Sequence, residues 1–73
     1  MQWRTDKVTN LMVAQRAGMR FEIELVHRQA YRAEPWVRID AYDASGDEIA
    51  SDWFYSIRQA KDAAETFVQP VRD

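Results

Sequence analysis

The sequence predicts an α+β fold: a three-stranded antiparallel meander with helices on one face, in the order α-β-β-β-α, within a single domain spanning residues 1–73. Three observations lead there. Residues 19–26 and 36–42 alternate with period two, so each has one apolar and one mostly polar side. The stretch Asp43-Ala44-Ser45-Gly46-Asp47 has the composition of a hairpin turn and leads into a third apolar run. The last third carries an apolar stripe at helical spacing behind a capping signal.

Taken in order, residues 7–17 place Val8, Leu11, Met12 and Gln15 at i, i+3, i+4 and i+7, one face of a helix. Thr5 or Asp6 suits the start of that helix, and Gly18 suits a left-handed end. A strand through residues 8–14 is the competing reading, because Thr9, Val13 and the run Leu11-Met12-Val13 favour one. The helix is preferred here. In residues 19–26, Met19, Phe21, Ile23 and Leu25 alternate with Arg20, Glu22 and Glu24. A loop from His27 or Arg28 follows, and Pro35, which cannot donate to a ladder, stands at or before the next strand. In residues 36–42, Val37, Ile39 and Ala41 alternate with Trp36, Arg38, Asp40 and Tyr42. The third strand runs through residues 48–55. Ser56-Ile57-Arg58-Gln59 then matches a capping box. The helix behind it, residues 57–68, presents Ile57, Ala60, Ala64, Phe67 and Val68, and Pro70 stops it. Phe21, Ile23, Leu25, Val37, Ile39 and Phe67 should share one core.

The chain is 47% hydrophobic, too apolar for a disordered segment, and it has no cysteine, which excludes disulfides and thiolate metal sites. No apolar run approaches the ~20 residues of a membrane span. Residues 1–7 lack the apolar stretch of a secretory signal, so a soluble, cytoplasmic protein is expected. The formal net charge of −2 conceals an asymmetry. Residues 1–38 hold seven basic and four acidic side chains, whereas residues 39–73 hold three and eight. A two-signed surface is expected, not the dominant basic field of a general polyanion binder.

The residues do not assemble into a catalytic set, and no cofactor is expected. His27 is the only histidine, and acid–base or zinc chemistry would require partners for it. The acids around Gly46 fail the register of a calcium loop: with Gly46 at the glycine position, the first ligand would be Ala41. Ser45, Ser51 and Ser56 stand outside any glycine-framed elbow, and two glycines do not make a phosphate loop. What remains is the polar side of the sheet, with Arg20, Glu22, Glu24, Trp36, Arg38, Asp40 and Tyr42. Tryptophan, tyrosine and arginine on a solvent-facing sheet are a protein-interface composition.

Two resemblances extend this reading. The element order, together with Ser56-Ile57-Arg58-Gln59-Ala60-Lys61-Asp62-Ala63-Ala64, resembles a double-stranded-RNA-binding domain. That family has a Ser-Lys-Lys-x-Ala-Lys pattern there whose lysines contact phosphates. The resemblance implies a nucleic-acid role for Arg58 and Lys61. Ile57 replaces one lysine of the pattern, Asp52-Trp53-Phe54 replaces the preceding glycines, and the acidic surroundings oppose phosphate binding. In size, lack of cysteine and two-signed charge the chain is also similar to small phage-encoded regulators of bacterial RNA polymerase, and to anti-CRISPR inhibitors in the same outward respects. This similarity implies a non-catalytic protein that binds a bacterial protein complex, with RNA polymerase as partner and transcription as the process regulated. The candidate partner-binding residues are Arg4, Lys7, Arg16, Arg28, Arg32 and Trp36.

Overall fold

Alternation along the central strands sets the architecture. In a computed structural model that describes residues 1–26 and 35–68, five strands form one antiparallel sheet: β1 (Arg4–Thr5), β2 (Met12–Arg16), β3 (Met19–Leu25), β4 (Val37–Tyr42) and β5 (Glu48–Phe54). They lie side by side in chain order, β1-β2-β3-β4-β5. A single helix, α1 (Ile57–Thr66), packs on one face. Met19, Phe21 and Ile23 of β3 pair with the strands on either side and point the same way as Val37, Ile39 and Ala41 of β4. Ala60 and Ala64 of α1 close over them, and Met1, Trp3, Met12, Ile49, Phe54 and Phe67 pack around the rim.

This corrects the expected α-β-β-β-α order. The described residues contain five strands and one helix, and residues 7–17 do not form a helix. The reason is local. Asp6, expected as a helix cap, instead closes a turn: its Oδ1 accepts from the amides of Val8 (2.8 Å) and Thr9 (3.2 Å), and its own amide donates to the Leu11 carbonyl (2.8 Å). Asn10 adopts φ 61°, which breaks any helix there. Val8, the first residue of the supposed apolar stripe, is 93% exposed. Gly18 (φ 78°) does not end a helix; with Ala17 (φ 52°) it makes a two-residue hairpin loop with both residues left-handed, the geometry that matches strand twist. Five residues of β2 then pair in full with β3, from Met12↔Ile23 to Arg16↔Met19.

The other elements lie close to expectation. β3 and β4 match the alternating stretches, though Trp36 precedes the strand and Leu25, assigned to the core, is 40% exposed. The turn after β4 is tied by Asp43, whose Oδ1 accepts from the amides of Ser45 and Asp47, both at 3.0 Å. A bulge between Ala41 and Tyr42 leaves Ile49 without a direct partner. Ser56 is the N-cap, with Oγ accepting from the Gln59 amide (3.1 Å), while Gln59 Oε1 accepts from the Tyr55 amide rather than that of Ser56. α1 ends at Thr66, two residues short of expectation, because Phe67 turns extended and lays its ring edge-on against Phe21, centroids 5.8 Å apart. The expected helix stop at Pro70 and the loop beginning at His27 or Arg28 lie outside the described residues.

Candidate functional site

With one helix on a five-stranded sheet, the other face has no layer over it among the described residues. Residues opposite one another across β2–β5 fill that face in rows: Gln15, Arg20, Tyr42 and Glu48 in one, and Val13, Glu22, Asp40 and Ser51 in the next. A third row holds Glu24, Arg38 and Trp53. Trp36 follows on the same side by alternation and is 38% exposed. The polar face expected from alternation is thus assembled, with Trp53 and Glu48 added from β5.

Electrostatics organise this face around a like-charge pair. Glu22 and Asp40 stand directly opposite each other, an arrangement that is unfavourable unless neutralised. Each carboxylate has its own arginine: Arg20 Nε lies 3.1 Å from Glu22, and Arg38 Nε lies 3.1 Å from Asp40. Each arginine also rests on an aromatic ring, Arg20 over Tyr42 (4.9 Å) and Arg38 over Trp53 (5.9 Å). Arg38 reaches Glu48 as well, at 3.8 Å. The hydrogen bond and charge of Asp40 hold the Arg38 guanidinium proton more tightly than usual. A hydrogen bond with Asp40, then desolvation, pushes the Glu48 carboxyl up. Burial raises the Tyr42 phenol, and the nearby acids reinforce the shift. The result is a pre-positioned set of guanidinium, carboxylate and aromatic groups that can contact a protein surface without large side-chain ordering.

The sequence-derived site residues do not form one patch. Arg4 is exposed on β1 and, paired with Val13, lies on the uncovered face. Three strand spacings, about 14 Å, separate its strand from β4. Lys7 is exposed in the turn after β1. Arg16 lies on the opposite face, where its guanidinium passes over the Phe21 ring (5.8 Å) and Nη2 donates to the carbonyls of Ala64 (2.9 Å) and Phe67. These contacts give Arg16 a structural role at the end of α1. Arg28 and Arg32 lie outside the described residues. On α1, Arg58 is exposed, whereas Lys61 is half-buried with Nζ 5.9 Å over the Trp3 ring. The two share one side of the helix but flank no second helix among the described residues, so the element order behind the RNA-binding resemblance is not present there.

Two features escaped the sequence. Nothing in the sequence marks which face Trp53 takes, and it is the pairing Arg38↔Trp53 that places it on the uncovered face. The groove between β5 and α1, lined mainly by Ala50, Phe54, Ala63 and Phe67, depends on which strand lies at the edge. No group of three histidine, cysteine, aspartate or glutamate side chains is arranged for a metal among the described residues, and no helix there is long and apolar enough to cross a membrane. Comparison with protein-family models, with curated proteins and with solved structures finds no match to this chain.

Proposed function

We propose that this chain is a non-catalytic regulator that docks on a protein partner through the uncovered face of its sheet, and that the partner is bacterial RNA polymerase. The observation that carries the reading is the Arg20–Tyr42 and Arg38–Trp53 pairs around Glu22 and Asp40, with Trp36 exposed beside them. Aromatic and arginine side chains held in place are the residue types that dominate interface energetics. The mixture of signs complements a mixed protein surface better than a uniform polyanion. The choice of polymerase rests on the similarity in size, cysteine-free composition and charge to small phage-encoded regulators.

The test is binding of purified bacterial RNA polymerase to the immobilised protein. Trp36→Ala together with Arg38→Glu should weaken binding at least tenfold, on the order of 1.4 kcal/mol or more. Arg4→Glu with Lys7→Glu should weaken it less and leave the melting midpoint in place, because exposed charges contribute little to folding. Absence of binding at micromolar concentration would remove polymerase as the partner. Tight binding to duplex RNA at physiological salt, lost on Arg58→Glu with Lys61→Glu, would replace the protein-binding reading with the nucleic-acid one.

A further inference from the structure

The covered side of the sheet holds a second surface. Among the described residues, β5 is the outermost strand, seven residues long and paired only with β4. The opposite edge, β1, is two residues long. A long edge strand presents backbone donors and acceptors to whatever lies beside it. Next to this edge, α1 and the sheet diverge to leave a mostly apolar groove of about 140 Å³. Ala50 and Phe54 of β5 form one wall, and Ala63, Ala64 and Phe67 form the other. A dry cavity of this size holds a benzene-sized group, one apolar side chain, and is well below the roughly 300–1,000 Å³ of small-molecule sites. The groove continues past Phe54 into a shallow concavity bordered by Tyr55, which is 56% exposed, and Asp62.

The chemistry of the rim selects the occupant. Ala50, Asp52 and Phe54 share the groove side of β5, because each faces a core residue of β4: Ala41, Ile39 and Val37. Asp52 is exposed there, its Oδ1 accepting from the Trp53 amide at 2.8 Å. Asp62 flanks the far end, and among the described residues no basic side chain lines either concavity. A second copy of this chain fits poorly. Its own β5 carries Glu48 and Asp52 and no cation, so it offers no complement to Asp52.

We propose that the edge of β5 receives an extended peptide as a sixth strand. One of its apolar side chains enters the groove beside Ala50, and a lysine or arginine two residues away meets Asp52. The spacing follows from strand geometry, since residues i and i+2 of an added strand face the same side. Backbone pairing supplies affinity, and the groove and Asp52 supply selectivity, as in strand addition generally. The groove lies on the side of the sheet opposite the face around Trp36, Trp53 borders both surfaces, and the peptide test does not depend on polymerase binding.

The probe is a set of capped seven-residue peptides with threonine at odd positions. Position two is lysine and position four is leucine, valine or phenylalanine. Amide shifts in the ¹⁵N-labelled protein should centre on residues 48–54 and on Ala63 and Ala64. Methylating alternate backbone nitrogens of the best peptide should abolish binding, because it removes the pairing without touching the protein. Lysine-to-glutamate exchange in the peptide, or Asp52→Asn in the protein, should each weaken binding about two- to fivefold. Ala63→Trp, which fills the groove, should block it, with the melting midpoint as the control for folding. The proposal is overturned if no peptide binds below millimolar concentration, or if the N-methylated peptide binds equally well. It is also overturned if shifts centre on Glu22 and Trp36, or if β5 amides respond to protein concentration alone, which would assign the edge to a second copy.

Discussion

Arg16 extends from β2 across the Phe21 ring to the carbonyls of Phe67 and of Ala64, the latter also accepting a long 3.4 Å bond from the Phe67 amide at the end of α1. Three effects act together there. The guanidinium satisfies two terminal carbonyls, it complements the negative end of the helix dipole, and its stem covers the core ring. Its Nε is buried without a hydrogen-bond partner among the described residues, so part of the desolvation cost is not recovered there. Charge-assisted bonds of this kind contribute about 1.5–3 kcal/mol net. Arg16→Met keeps the stem and removes the bonds, and it should lower stability by about that amount, a fall of several degrees in melting midpoint, measured by circular dichroism. A partner-binding role for Arg16 would require instead that the midpoint hold while affinity falls. Nothing in the sequence around Arg16 marks this task, because the carbonyls it serves lie some fifty positions away.

At the scale of elements, legibility followed side-chain period. β3 and β4 could be read because every second residue is charged or aromatic, so a helix would have scattered the apolar set around its axis. α1 could be read because Ser56 and Gln59 mark its start. β2 could not, because Leu11-Met12-Val13 is a short apolar run that suits either state, and it is the partner strand β3 that decides. β1 is too short to leave a periodic signal and exists only through pairing with β2. The same limit hid the groove, since that β5 stands at the edge is a property of topology. The polar face, by contrast, was legible residue by residue from Arg20 to Tyr42.

The turn joining β1 to β2 carries a pH dependence of its own. The Val8 and Thr9 amides hold the Asp6 carboxyl below its ordinary value. A depressed folded-state value means that its contribution is fully present above the ordinary 3.8 and is lost as pH falls through the lower folded value. Glu48 has the opposite sign: its carboxyl is raised by Asp40, so the pair opposes folding at neutral pH and is relieved as pH falls through the raised value. Denaturant titrations between acid and neutral pH can separate the two. Asp6→Asn should remove part of the acid-side loss, and Glu48→Gln should remove part of the gain that precedes it. If both variants keep the wild-type profile, neither contact persists in solution.

For the whole molecule, the arithmetic of a thin core decides which residues are free to serve function. A chain of 73 residues has a folding stability of about 4–11 kcal/mol. The fully buried large side chains are Phe21, Ile23 and Val37. Phe21 sits where β3, α1, Arg16 and Phe67 converge. Truncating a buried phenylalanine to alanine costs about 3–5 kcal/mol, a large part of that total. Phe21→Ala should therefore lose most of its cooperative thermal transition, while Phe21→Leu, which keeps more volume, should retain one at lower temperature. Trp36 offers the contrast. It has the larger ring but lies on the uncovered face, so Trp36→Ala should shift the midpoint far less than Phe21→Ala does. Melting the three variants side by side tests the division between a face that holds the fold together and a face left for a partner. A loss in Trp36→Ala as large as that in Phe21→Ala would mean that the uncovered face carries the fold as well, and its aromatic residues would then need no partner to explain them.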